Sequence, residues 1–280
     1  MTDAETPKKA PSNLAFRLLT ALIAVPIILG LIFKAPAWGL LVLVVPAVLL
    51  GCFELFSMTH HDDPFGRAVG TLLGGVVCGS LYFLGSDPRV VVTLLIALPV
   101  LGPMLTLVRI GDIKTAALRA ASLGFGPLYV AAPLTLVAML RRDHPAEGPA
   151  YVLFVLVFSW LADTGGYFAG RFLGKHKLYE AVSPKKTVEG ALGGLAAAVL
   201  GGFVVRAVCL PEMPAVHLVV LALVAAAAGQ AGDLAESLLK RSVGVKDSGN
   251  VLPGHGGILD RVDATLLTSV VVYLYALWFA

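Results

Sequence analysis

Apolar residues run along this chain in long stretches separated by short polar breaks. Nine stretches are long enough to cross a hydrocarbon core: about 14–33, 38–58, 67–84, 89–108, 118–140, 150–171, 190–210, 215–234 and 262–280. About 20 apolar residues suffice for one helical span. Lipid offers no partner to a backbone N–H or C=O, so each stretch is predicted to be a helix that pairs these groups internally. The expected fold is an all-α polytopic membrane protein of about nine transmembrane helices. Residues 1–13 form a polar N-terminal tail, 14–148 the N-terminal transmembrane helices (a lipid and packing region), and 149–280 a C-terminal transmembrane catalytic region. Connections are short except for 172–189 and 235–261, and no segment fits a soluble domain. Glycines recur four apart at Gly70/Gly74, Gly75/Gly79 and Gly190/Gly194, a spacing that suits helices packing through small faces.

Composition agrees with the pattern. Of 280 residues, 58% are hydrophobic and 14% charged, and the mean hydropathy is +0.86. A soluble domain carries about 25% charge. The net charge is +3, but its distribution says more. With the N-terminus in the cytoplasm, sixteen of the 21 Lys and Arg residues fall on the inner side and five on the outer. That asymmetry predicts N-inside and, for nine spans, C-outside. Cys52, Cys78 and Cys209 lie in apolar runs without C-x-x-C spacing and read as small core residues. The first apolar run is longer than a signal-peptide core, although Ala35-Pro36-Ala37 has the form of a cleavage site.

Nine of the 18 Asp and Glu residues lie from Asp163 onward, and both long connections are rich in polar groups. Asp163 lies inside the sixth span, where an ionisable group is expected to be functional. Asp233 is placed at the cytoplasmic end of the eighth span, and Asp260 and Asp263 at the start of the ninth. A spacing of three puts Asp260 and Asp263 on one helix face, and Asp233, Glu236 and Lys240 share another. If spans eight and nine pack together, three carboxylates can meet at one depth. Such crowding is costly without a cation, and oxygen-only ligands suit Mg²⁺. Ser183-Pro184-Lys185-Lys186-Thr187 gathers two ammoniums and two hydroxyls in an expected tight turn, and Lys240, Arg241, Lys246 and Arg261 add further cations. Their number suits several phosphate charges. Gly254, Gly256 and Gly257 around His255 allow close approach to a ligand, and the ninth helix could bind anion at its N-terminus. Neither G-x-x-x-x-G-K-[ST] nor G-x-G-x-x-G occurs. Glu54, near the inner end of the second span, reads equally as a satisfied polar group or a site residue.

Ser237-Leu238-Leu239-Lys240-Arg241, Lys246-Asp247, Pro253-Gly254-His255-Gly256-Gly257 and Asp260-Arg261-Val262-Asp263 together resemble the signature of the phosphatidate cytidylyltransferases, the CDP-diacylglycerol synthases. Gly232-Asp233-Leu234-x-Glu236 extends the likeness upstream, and residues 163–175 and 183–190 resemble the family's second polar region. The resemblance covers about 159–280. It implies a membrane enzyme of the inner leaflet; the Lys and Arg asymmetry puts its site on the cytoplasmic side, and the short chain without an added soluble domain suggests a bacterial inner membrane. The reaction implied is transfer of the cytidylyl group of CTP to phosphatidate, with pyrophosphate released. It carries the metal-binding role onto Asp233, Asp260 and Asp263, for one Mg²⁺ with room for a second cation. Lys185, Lys186, Lys240, Arg241 and Lys246 would hold phosphate charge, with Ser183, Thr187, Asp163, His255, Gly256, Gly257 and Arg261 on the substrate side. Partners implied are CTP, phosphatidate, membrane lipid and a second copy of the chain, with no nucleic acid. The alternatives are a CTP-dependent transferase or kinase acting on another lipid, such as a polyprenyl acceptor, and more remotely a cation-coupled transporter. A CDP-alcohol phosphotransferase is disfavoured, because no D-G-x-x-A-R run occurs.

Overall fold

A computed structural model describes residue 22, residues 25–249 and residues 256–279. Residues 25–33 form α1. Then follow α2 (Leu41–Thr59), α3 (Pro64–Leu84), α4 (Pro88–Val108), α5 (Ile113–Asp143), α6 (Gly148–Leu173), a hairpin of β1 (Lys177–Tyr179) and β2 (Ser183–Thr187), α7 (Val188–Cys209), α8 (Ala215–Ser242) and α9 (Leu259–Phe279). Among the described residues, eight helices (α2 to α9) are long and apolar enough to cross a membrane, so the chain is an all-α integral membrane protein. Of the first expected span, 14–33, residues 14–21, 23 and 24 lie outside the described residues, and 25–33 are the helix α1.

Two observed elements differ from the hydropathy reading. The eighth helix does not stop near 234 but runs to Ser242. Hydropathy marks where lipid ends, whereas helix hydrogen bonding continues wherever side chains are satisfied, here by polar pairs along its last turns. The expected loop therefore begins at Val243. Second, Ser183–Thr187 is a strand and not a tight turn, paired antiparallel with β1 in the register Lys177↔Thr187 and Tyr179↔Ser183.

The helices pack as two groups around α5. That helix touches α2, α3 and α4 on one side and α6 and α9 on the other. The second group is α6 to α9, in which α6 lies along α7 and α8 along α9. The core is built from apolar side chains of both groups, including Phe56, Phe154, Phe158, Leu218 and Leu266, each fully buried. Packing drives this assembly, because lipid is as apolar as the side chains themselves. Two of the expected glycine faces do this work: a Cβ at Gly74 would stand 3.2 Å from that of Cys52, and a Cβ at Gly190 would stand 2.9 Å from the Gly166 carbonyl oxygen. Gly79 packs against nothing. The Ala35-Pro36-Ala37 turn is bracketed by polar contacts: Arg141 donates to the Ile32 carbonyl at 2.9 Å and Tyr82 to the Ala37 carbonyl at 3.3 Å.

Candidate active site

The site is assembled where the hairpin meets α6, α7 and α8. Thr187 ends β2 and caps α7, its hydroxyl accepting from Gly190 N at 3.1 Å. Such a cap satisfies one of the four unpaired amides of a helix start. Glu189, in the first turn of α7, accepts from Lys175 N (3.0 Å), His176 N (3.2 Å) and His176 Nδ1 (2.6 Å), which ties the base of the hairpin to the helix. Lys177 Nζ donates to the Pro184 carbonyl at 2.5 Å across the two strands. Held in this way, β2 presents Lys186 to α8, where its ammonium lies 2.5 Å from Asp233 Oδ2.

Lys186 and Asp233 line a cavity of about 400 Å³ with Asp163, Lys185, Thr187 and Gln230. Tyr167 and Arg171 of α6 stand at the same cavity and bond to one another at 2.9 Å. Gln230 donates to the Ala191 carbonyl at 3.0 Å and so joins α8 to α7 at the cavity wall. The close approach of α6 to α7 needs glycine at 194, where a Cβ would stand 2.5 Å from the Ala162 carbonyl oxygen and 2.9 Å from Gln230 Nε2.

Behind this cavity, α8 meets the first turn of α9. Asp263 is half-buried and feels the charges of Asp233, Glu236 and Asp163. Asp163 in turn interacts with Asp233 and Lys186. Three carboxylates on three helices thus share one field. The third member of the expected aspartate set is engaged elsewhere. Asp260 Oδ1 accepts from Lys240 Nζ at 2.6 Å, and its Oδ2 accepts from Ser248 N and Gly257 N, each at 3.0 Å. Lys240 also reaches Glu236 Oε2 at 2.7 Å. The extension of α8 places Lys240 one turn beyond Glu236, so one buried ammonium joins two carboxylates. Buried charges of this kind persist only when paired.

Among the described residues, no group of three or more His, Cys, Asp and Glu side chains is spaced to hold a metal by itself. The donor chemistry nevertheless suits Mg²⁺. Asp163 and Asp233 are oxygen donors on the cavity wall, Asp263 shares their field, and Glu236 Oε1 is buried without a hydrogen-bond partner. Mg²⁺ takes one or two protein carboxylates and fills its remaining positions with water and substrate phosphate.

The other expected site residues are distributed around this core. Ser183 begins β2. Arg241 is exposed and donates to the Val245 carbonyl at 3.0 Å, and Lys246 is exposed on the loop that follows. Arg261 is exposed on the first turn of α9. Gly256 has φ +80°, which glycine adopts freely. Gly257 makes its close approach to the Glu54 carboxylate: a Cβ there would lie 2.5 Å from Glu54 Oε2. His255 lies outside the described residues. Residues that the sequence argument did not place in the site are Gln230, Tyr167 and Arg171, and Glu54 was left open between a site residue and a satisfied polar group. A polar group at the inner end of an apolar span was the one available signal for Glu54, and its partners lie about two hundred residues away.

A sequence model of the Cytidylyltransferase family matches residues 15–279. A phosphatidate cytidylyltransferase of Pseudomonas aeruginosa is 34% identical over 265 residues, covering 94% of this chain and 97% of that protein. One from Bacillus subtilis is 46% identical over 132 residues, covering 47% of this chain and 49% of that protein. One from Brucella suis is 44% identical over 156 residues, covering 55% of this chain and 57% of that protein. In the Bacillus and Brucella matches, the chain spans about half the length of the relative. The chain belongs to the Cytidylyltransferase family.

Proposed function

We propose that this protein transfers the cytidylyl group of CTP to phosphatidate, making CDP-diacylglycerol and pyrophosphate. The observation that carries the reading is Lys186 against Asp233 on the wall of a cavity shared with Lys185, Asp163 and Thr187. Cations and carboxylates side by side suit triphosphate, which needs both direct ammonium contacts and a metal. The names of the relatives support phosphatidate as acceptor.

A phosphatidate oxygen attacks the α-phosphorus of CTP. The new P–O bond forms as the bond from the α-phosphorus to the bridging oxygen breaks, and that electron pair leaves with pyrophosphate. The phosphate monoester is already ionised near neutral pH, so no strong base is required. The chain's task is to bring two anions together and hold the charge that develops. Lys185 and Lys186 hold phosphate oxygens, and Arg241 and Lys246 add positive charge on the loop side. Asp233 and Asp263, with Asp163 beside them, would hold Mg²⁺, and a second cation could share the same donors. When bound, Mg²⁺ supplies charge neutralisation at the phosphates. Lys240 holds Asp260 and Glu236, which keeps the first turn of α9 against α8.

The cytoplasmic leaflet is the assigned face, supported by the distribution of Lys and Arg, and the bacterial relatives support an inner-membrane location. The homodimer rests on the family resemblance alone. The test is pyrophosphate release from CTP by the purified protein in detergent with Mg²⁺. Release that requires both Mg²⁺ and phosphatidate is expected. Release only with a polyprenyl acceptor would move the substrate and keep the site. No release with any lipid acceptor would overturn the reading.

A further inference from the structure

Glu54 belongs to the N-terminal group of helices, yet among the described residues its hydrogen-bond partners lie in the signature region. The residue is 2% exposed. Its Oε1 accepts from Ile258 N at 2.9 Å, and its Oε2 accepts from Leu259 N at 2.8 Å and from Ser248 Oγ at 3.0 Å. Ile258 and Leu259 stand at the start of α9, where amides have no intrahelical acceptor. An anion there is favoured by the helix dipole as well as by the hydrogen bonds. Two glycines make room for the carboxylate. A Cβ at Gly249 would lie 2.8 Å from Glu54 Oε1, and one at Gly257 would lie 2.5 Å from Oε2. Both belong to the polar loop, one on each side of its undescribed residues.

The first turn of α9 carries Asp260 and Asp263. Gly257 N, just ahead of the helix, donates to Asp260 itself at 3.0 Å. The start of the helix is thus held by two carboxylates, one from its own first turn and one from α2. Asp263 is three residues beyond Asp260 and shares its field with Asp233 and Asp163. A tilt of this turn would move Asp263 against both.

We infer that Glu54 is a positioning residue for the transfer reaction: it clamps Ser248 and the first amides of α9, and so sets where Asp263 stands relative to Asp233. This inference rests on the function proposed above. It also gives Ser248, Gly249 and Gly257 a common purpose, which is to receive the Glu54 carboxylate.

The test uses the full-length protein in detergent and compares wild type with Glu54→Gln, Glu54→Asp and Ser248→Ala. Two readouts are taken: amide hydrogen exchange at the start of α9, and the separate kcat and KM for CTP. In Glu54→Gln an amide NH₂ replaces an acceptor oxygen and faces backbone donors. Exchange at Ile258 to Asp260 is expected to rise at least tenfold with α5 unchanged, and kcat to fall at least thirtyfold with KM for CTP within threefold. Glu54→Asp keeps both acceptor oxygens and is expected to recover part of kcat. Ser248→Ala removes one bond of three and is expected to lose kcat by three- to tenfold. It carries the test if Glu54→Gln does not assemble. Wild-type exchange and kcat in both Glu54→Gln and Ser248→Ala would overturn the inference, as would a loss confined to KM. If wild type itself transfers no cytidylyl group, the function fails separately, and exchange alone still decides whether Glu54 holds the helix.

Discussion

Two of the polar clusters among the described residues lie beside cavities of several hundred Å³, and they differ in what their charges touch. One is the cavity of about 400 Å³ among α6, α7, α8 and the hairpin. The other, about 500 Å³, lies among the α2–α3 and α4–α5 connections and the end of α8, lined by His60, Asp63, Arg109, Asp112 and Arg119 among others. In the second cluster the buried Arg119 donates to the Arg109, Ile110 and Asp112 carbonyls, the last at 3.0 Å. His60 is 1% exposed, and its Nδ1 lies 3.0 Å from Thr59 Oγ1. Arg119 and His60 thus turn mainly to their own connections, although His60 Nε2, Asp63 Oδ1 and Arg119 Nε are buried without a hydrogen-bond partner and Arg109 lies 3.9 Å from Asp63. In the first cluster, Lys186 meets a side-chain carboxylate, and Asp163 and Asp263 crowd the same field. Cavity size does not separate the two; the chemistry facing the cavity does. Arg119 spends its guanidinium on backbone carbonyls, whereas carboxylates that crowd one another repel, and that repulsion is what the proposed Mg²⁺ would relieve.

That contrast can be broken by substitution. The largest effect is expected from Asp263→Asn, which keeps volume and removes one charge from the crowded field. Turnover should fall by about 10²-fold or more, in the range seen when one electrostatic element of an active site is lost, while the melting temperature stays within a few degrees. Steady-state pyrophosphate release and a thermal melt check both halves; near wild-type turnover would remove Asp263 from the site. In the other cluster, Arg119→Ala should do the reverse. It leaves three carbonyls without their donor and should cost about 2–3 kcal/mol of stability, with KM for CTP unchanged. A shift in KM would mean that the second cavity also takes nucleotide.

Lys186→Ala should raise KM for CTP by about thirtyfold, or about 2 kcal/mol, in the range of a charge-assisted contact to phosphate. Unchanged CTP kinetics would take Lys186 out of the nucleotide site. The smallest effect concerns pH. Burial pushes the His60 imidazole down to about 4, with the Asp63 charge opposing and Arg119 adding to the shift. The unfolded chain takes up this proton near pH 6.5, and the folded chain only near 4. Stability contributed by neutral His60 is therefore full above about 6.5 and is lost as pH falls toward 4, by at most about 2 kcal/mol at pH 5. Melting temperatures at pH 7 and 5 should differ less in His60→Gln than in wild type. An equal difference would show that another group dominates.

Most of the helices were legible because hydropathy and span length are local properties. The expected 67–84, 89–108 and 190–210 became Pro64–Leu84, Pro88–Val108 and Val188–Cys209. The end of α8 was not, since its last turns are polar and stand on side-chain pairs. Nor was the hairpin, which depends on Glu189 and Lys177 holding its base. In the site, the residue types were legible and their partners were not. Lys240 was expected to face phosphate, yet it is joined to Glu236 and Asp260. Asp233 and Asp263 do share a field, while Asp260 turns to the loop. Glu54 could not be connected to Leu259 from sequence, because one lies in α2 and the other opens α9.

The length of α8 has a consequence of its own. Its 28 residues give a rod of about 42 Å, against a hydrocarbon layer of about 30 Å. Asp233 lies 18 residues from its first residue, about 27 Å along the rod and so near the edge of that layer. If the start of α8 lies at one face of that layer, the helix sets Asp233 and the carboxylates around it close to the other face. A thicker bilayer would submerge them and a thinner one would lift them past the lipid head groups. Turnover in vesicles of graded acyl length should pass through a maximum. Under the proposed function, that dependence would couple the reaction to the thickness of the membrane that holds the chain.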